Sequence, residues 1–198
     1  MTLTRPLVLA SASPRRREIL TRLGLTFSVH AADLDETQQE GESPVAYVAR
    51  LAEEKARAIA RLCGQEPRAV LGADTTVVLD DEVLNKPLDA ADSERMLRAL
   101  RGREHTVHTA VALLLWPEDQ LRVITVSTRV RFRAFSDATL RGYVASGEGR
   151  DKAGSYGIQD LGAALVSELA GSYTNVVGLP AAQTIELLEA LGLLGAWP

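Results

Sequence analysis

Twice in the first fifty residues a Ser-Pro pair stands after a strand-like run, which limits the chain to folds in which strands feed into helices. Pro6-Leu7-Val8-Leu9-Ala10 reads as a short buried strand. Ser13-Pro14 then supplies an N-cap and a proline at the first helical position, opening a helix to Leu23 that Gly24 stops. Thr26 to His30 is a second strand, and Ser43-Pro44 repeats the start signal for a long helix to about Cys63.

The remainder continues the alternation. Arg68 to Leu79 is apolar and β-branched, and Asp80-Asp81 reads as a hairpin turn before Glu82-Val83-Leu84. Asp89 caps a predicted helix from Ala90 to Leu100, ended by Gly102. Two long strands follow, His105 to Leu115 and Leu121 to Phe132, and Ser136 caps a helix to Ser146 with Gly147 behind it. A glycine-rich charged loop runs from Gly147 to Gly157, a short strand lies near Leu165 to Leu169, and a last helix spans Pro180 to Leu191. Hairpin-linked strands among helices indicate an α/β protein with a mixed, twisted sheet. The expectation is one domain over residues 1–198, with two lobes around a central cleft.

Composition narrows the class of function. A hydrophobic fraction of 46% with 24% charged residues belongs to a globular protein. The net charge of −4 argues against broad nucleic-acid binding, and no stretch approaches a membrane span. The single cysteine, Cys63, excludes an internal disulfide and falls late in a helical pattern, where it reads as a buried structural thiol. A cytoplasmic location is expected. Only three of the 22 basic residues are lysine: Lys55, Lys86 and Lys152. In a chain so biased towards arginine, they mark places where a compact point charge is wanted, or else they fall there by chance.

Several constellations bear chemistry. Ser11-Ala12-Ser13-Pro14-Arg15-Arg16-Arg17 joins a strand to a helix start, where free N–H groups and the positive dipole end converge. Three arginines in that turn oppose the dipole by about 0.3–1 kcal/mol each, which a bound anion would offset. The alternative is a solvated run paired with Glu18 and other carboxylates. Lys55 lies on the apolar stripe of Val45, Val48, Ala52, Ile59 and Leu62, while Glu53, Glu54 and Arg57 lie off it. It needs an anionic partner, or snorkels at the stripe edge. Asp74 interrupts the apolar runs Ala69-Val70-Leu71 and Val77-Val78-Leu79. A carboxylate there is costly unless it is bonded, paired or holding a metal. It is the first candidate to hold a metal or activate water, against a structural role in a bend that Gly72 permits.

Other segments are weaker pointers. Asp33, Asp35 and Glu36 form an acidic cluster that is either solvated loop or part of a site, and Lys86-Pro87 ends the hairpin. In Asp151-Lys152-Ala153-Gly154-Ser155-Tyr156-Gly157-Ile158-Gln159, flexible glycines accompany a cation and an amide able to read a base edge. No Walker-type loop and no zinc-like Cys/His spacing occurs, and His30, His105 and His108 read as structural.

Taken together, Leu9-Ala-Ser-Ala-Ser-Pro-Arg-Arg-Arg, Leu51-Ala-Glu-Glu-Lys, Gly72-Ala-Asp-Thr, Asn85-Lys-Pro, Tyr143-Val-Ala-Ser, Asp151-Lys-Ala-Gly-Ser-Tyr-Gly-Ile-Gln and Val177-Gly-Leu-Pro closely resemble the Maf-like nucleotide pyrophosphatases. The resemblance runs from about Leu7 to Leu191. It implies a fold related to inosine-triphosphate pyrophosphatase, commonly homodimeric, and hydrolysis of nucleoside triphosphates to monophosphate and pyrophosphate with a divalent cation, Mg²⁺ or Mn²⁺. By the same resemblance Asp74 matches the catalytic acceptor. Ser11, Arg15, Arg16, Glu36, Lys55, Lys86, Lys152 and Gln159 match positions attributed to substrate or metal, Glu36 being placed with Asp74 on the metal. Arg15, Thr75 and Gln159 resemble the branch acting on dTTP and UTP rather than the one acting on 7-methyl-GTP, whereas Ala12 departs slightly from the family pattern.

The mechanism these residues imply is attack of water on the α-phosphorus with Asp74 as base. The cations would neutralise the triphosphate, and Gln159 and Thr75 would select a pyrimidine with a 4-oxo edge. CTP and modified pyrimidine nucleotides are further candidate substrates. Two rivals remain: a nucleotide-binding regulator of cell division with little or no hydrolysis, and a purine-cleansing enzyme of the inosine-triphosphate type.

Overall fold

The computed structural model describes residues 1–195; the last three residues of the expected 1–198 domain lie outside the described residues. The elements in chain order are β1 (Leu7–Leu9), α1 (Pro14–Arg22), β2 (Phe27–Val29), α2 (Pro44–Leu62), β3 (Arg68–Leu79), β4 (Glu82–Leu84), α3 (Ala90–Leu100), β5 (Glu104–Trp116), β6 (Gln120–Phe132), α4 (Asp137–Ser146), β7 (Val166–Ala170), α5 (Tyr173–Val177) and α6 (Ala181–Ala190). The sheet has seven strands in the order β2-β1-β3-β5-β6-β7, with β4 paired to β3. It is mixed: β1 runs parallel to β2 and β3, whereas β3–β4 and β6–β7 are antiparallel.

The helix starts follow from local chemistry. Ser13 and Ser43 accept hydrogen bonds from the N–H groups of Arg16 and Ala46, each with proline in the first turn. Asp89 and Ser136 do the same for Asp92 and Thr139. Gly147, at φ 75°, ends α4 in the left-handed conformation that costs glycine little. Both central residues of the β3–β4 hairpin, Asp80 and Asp81, have positive φ, the pattern that matches a two-residue turn to strand twist.

Two compact units emerge from the contacts. The first comprises Met1–Asp74, Thr109–Val126 and the residues from Gly178 onward; the second comprises Thr75–His108 and Ser127–Val177. The core of the first joins Leu9, Leu20, Leu51, Ile59 and Leu71 under α1 and α2. In the second, α3 packs against α4, and Leu97, Leu100, Phe132, Leu140 and Tyr156 are buried. Strands β3, β5 and β6 contribute residues to both units.

Some expectations need correction. The buried face of α2 is Tyr47, Val48, Leu51, Ala52, Lys55, Ala56, Ile59 and Ala60. Val45 and Leu62, read as the ends of the apolar stripe, are 44% and 80% exposed, being the second and last residues of the helix. Cys63 is half-buried, its thiol donating to Ile59 O at 3.3 Å. The glycine-rich loop contains a 3₁₀ turn at Ala153–Ser155, and α5 was not anticipated. No helix among the described residues is long and apolar enough to cross a membrane.

Candidate active site

Within the first unit, five of the expected residues converge. The chain leaves β1 at Ser11, whose hydroxyl accepts from Ser13 N–H at 3.2 Å and from Arg16 Nη1 at 3.0 Å. Arg16 is only 9% exposed, and its Nε donates to the carbonyl of Gly178 at 2.8 Å. The arginine run is therefore divided: Arg16 is built into the protein, Arg15 is half-buried and Arg17 is exposed. Glu18 pairs with Arg22 at 2.6 Å. Burial pulls the Arg16 guanidinium below its usual range, while Asp74 and Glu36 favour its charge.

Lys55 and Asp74, each 8% exposed, form the centre. The Lys55 ammonium lies 2.6 Å from Asp74 Oδ1 and 2.6 Å from Glu36 Oε1. The anionic-partner reading of Lys55 is the one the geometry bears out. Burial raises the Asp74 carboxyl above the ordinary aspartate range, against the pull of Lys55 and Arg16, and Glu36 adds to the rise. A carboxylate with raised proton affinity is closer to the range in which a general base works at neutral pH.

Three further residues hold this arrangement: Gly72, which the sequence suggests only as permitting a bend, and Tyr47 and Arg50, which it does not assign. A Cβ on Gly72 would lie 2.1 Å from Ala52 O and 2.8 Å from Ala56 N. Gly72 thus lets the α2 backbone approach β3 closely enough for Lys55 to reach Asp74; its role is close approach. Tyr47 donates to Glu36 O at 2.7 Å, fixing the loop that carries the second carboxylate. Arg50 binds Glu42 at 2.7 Å and the carbonyl of Thr37 at 3.1 Å, and the carboxylates of Glu42 and Glu54 raise its own pKa. A glycine two residues before a buried aspartate was the only available signal. Asp35 instead anchors a local turn, accepting from Thr37 N–H at 2.9 Å, and Asp33 is exposed.

In the second unit, Thr75 follows Asp74 and is half-buried. Lys86 is exposed just beyond β4, where the carbonyl of the preceding Asn85 accepts from Gly154 N–H at 3.2 Å. That bond joins the Lys86 segment to the glycine-rich loop. Gly154 rests on Val77, which a Cβ would approach to 2.9 Å. In the loop, the half-buried Lys152 donates to Glu148 O and to Asp151 Oδ1, the latter at 2.7 Å; Gln159 is half-buried further along. The histidines divide. His105 is buried, bonded to Tyr156 OH at 2.8 Å and edge-on to Phe132, which is structural; burial lowers its pKa to about 4. His108 bonds Ser127 Oγ at 2.8 Å, and His30 is exposed.

The donor set fits a divalent cation. Glu36 and Asp74 bring two carboxylates to one point, marked by the shared ammonium, and Mg²⁺ commonly takes one or two carboxylates with phosphate and water completing its shell. Among the described residues no group of three or more acidic, histidine or cysteine side chains suited to a metal occurs.

A family model described as Maf-like protein matches residues 6–191. A dTTP/UTP pyrophosphatase of Shewanella sp. (strain MR-7) is 55% identical over 193 residues, covering 94% of this chain and 98% of the relative. A dTTP/UTP pyrophosphatase of Myxococcus xanthus (strain DK1622) is 52% identical over 192 residues, covering 96% and 95%. Among solved structures, a HAM1 protein from Coxiella burnetii shares the fold with a TM-score of 0.52 at 18% identity, covering 95% of this chain and 98% of that one. With a family match over nearly its whole length and relatives above half identity, the chain belongs to the Maf-like family.

Proposed function

We propose that the chain hydrolyses the α–β phosphoanhydride of dTTP and UTP, with CTP and modified pyrimidine nucleotides as further substrates, to the monophosphate and pyrophosphate. The observation that carries this reading is Asp74, a buried carboxylate of raised proton affinity held by Lys55 within the field of Arg16. The names of the relatives at about half identity support the substrates.

In the proposed reaction Asp74 accepts a proton as water attacks the α-phosphorus. The new P–O bond forms as the bond to the bridging oxygen breaks, and pyrophosphate leaves. Arg15, Arg16, Lys55, Lys86 and Lys152 offset phosphate charge, and Ser11 with the α1 N-terminus donates to phosphate oxygens. Thr75 and Gln159 select the base. Glu36 and Asp74 would hold a divalent cation, Mg²⁺ or Mn²⁺, which when bound neutralises phosphate charge and makes phosphorus a better electrophile.

Asp74→Asn should keep the fold and nucleotide affinity and lose roughly 10²–10⁴-fold in kcat, the usual contribution of a general base. Turnover near wild type would sink the role of Asp74. Chromatography after incubation with dTTP, UTP, ITP or 7-methyl-GTP and Mg²⁺ tests the bond and the base. The expected products are dTMP and UMP with pyrophosphate. Release of dTDP and phosphate overturns the cleavage point, preference for ITP favours purine cleansing, and no reaction favours a nucleotide-responsive regulator.

A further inference from the structure

We infer that Glu148 is a positioning residue for base recognition: its carboxylate ties Tyr143 to both ends of the segment that carries Gln159. The inference rests on the reading of Gln159 and Lys152 as substrate contacts, and it concerns how they are held. Glu148 itself follows the glycine that ends α4.

The hydrogen bonds form a closed set. Glu148 Oε1 accepts from Tyr143 OH at 3.0 Å and from Gly162 N–H at 2.9 Å, while Oε2 accepts from Leu161 N–H at 2.8 Å. The Tyr143 hydroxyl in turn accepts from Gly157 N–H at 3.0 Å. Gly157 and Leu161, each two residues from Gln159, are thus fastened through one carboxylate and one phenol. The backbone carbonyl of Glu148 also accepts from the Lys152 ammonium, so one residue sets both the cation and the amide.

Glycines make the closure possible. A Cβ on Gly162 would lie 2.0 Å from Gly157 O, and one on Gly149 would lie 2.1 Å from Ser155 O. The segment folds back on itself at positions where only a bare backbone fits. Tyr143 is buried, and burial raises its pKa, so the phenol stays protonated and donates to Glu148. The carboxylate thus takes the first two N–H groups of a 3₁₀ turn at Leu161–Leu165, which Asp160 leaves without a side-chain cap, and adds the Tyr143 hydroxyl. A side-chain amide that discriminates carbonyl from amino on a base must present a fixed orientation. A segment ordered before binding also avoids the free-energy cost of ordering it afterwards.

The test compares Glu148→Ala, Glu148→Gln and Gln159→Ala with wild type. Steady-state kinetics with UTP and CTP are measured alongside amide hydrogen exchange of the substrate-free protein. In Glu148→Ala, KM for UTP should rise about ten-fold with kcat changed far less, and the UTP-over-CTP ratio of kcat/KM should collapse towards that of Gln159→Ala. The amides of Leu161 and Gly162 should exchange faster. Glu148→Gln keeps one carbonyl acceptor and should fall between wild type and Glu148→Ala, which keeps the test sound if Glu148→Ala folds poorly. Wild-type KM, selectivity and amide protection in both Glu148 variants overturn the positioning role. A wild-type UTP-over-CTP ratio that Gln159→Ala leaves unchanged overturns the reading of Gln159, and the inference with it.

Discussion

At Lys55 one ammonium answers two carboxylates, and the pH behaviour of Asp74 follows from that. Burial pushes the Asp74 carboxyl up, and Lys55 is the largest influence pulling it down. Lys55→Met keeps the length of the side chain and removes its charge. The base must be ionised to accept a proton, so turnover rises with pH through the Asp74 pKa. In Lys55→Met the acid limb of the kcat–pH profile should therefore move to higher pH, with kcat at neutral pH reduced. An acid limb at the wild-type position would show that Lys55 does not set the basicity of Asp74. Asp74 and Lys55 were legible in the sequence for one reason: a charge inside an apolar pattern demands a partner. Glu148 and Tyr143 were not, because apart from their bond to each other they hold main-chain N–H groups that only the folded loop brings to them.

At the scale of elements, the approach of α2 to β3 decides whether that pair exists. Gly72 has no positive φ; what it supplies is the missing Cβ opposite Ala52 O. Gly72→Ala forces helix and strand apart, an overpacking cost of about 1–3 kcal/mol. In a chain of this size the thermal midpoint should fall by about 2–12 °C, and turnover should fall with it as Lys55 draws away from Asp74. Calorimetry and initial rates check both, and an unaltered midpoint would mean the backbone can relax around the methyl. Helix starts were readable because an N-cap is settled within four residues, as at Ser13, Ser43, Asp89 and Ser136. Burial at helix ends was not, as Val45 and Leu62 show, since it depends on what the tertiary structure packs against each end and not on the local pattern. The five-residue α5 is too short to carry a periodic signal.

For the whole molecule, His105 ties stability to pH. Its ring is buried and neutral, with a pKa of about 4 in place of the usual 6.5. A depressed folded-state value means that the stabilisation is complete above pH 6.5 and is lost as pH falls towards 4. The amount is on the order of 3 kcal/mol. Urea unfolding of wild type and His105→Gln across that window should give curves that converge as pH falls, because glutamine cannot take up the proton. Parallel curves would remove His105 from the account of acid sensitivity.

The salt bridge shared by Glu36, Lys55 and Asp74 has a consequence for the proton inventory of the molecule. The exposed loop around Glu36 and the buried strand residue Asp74 compete for one cation, and the charge of Glu36 itself raises the proton affinity of Asp74. By reciprocity, drawing that loop away lowers the affinity of Asp74 for a proton, and protonating Asp74 strengthens the hold of Lys55 on the loop. Loop position and the ionisation of a buried acid are one linked equilibrium, so a ligand that moves the first must also release or take up protons at the second.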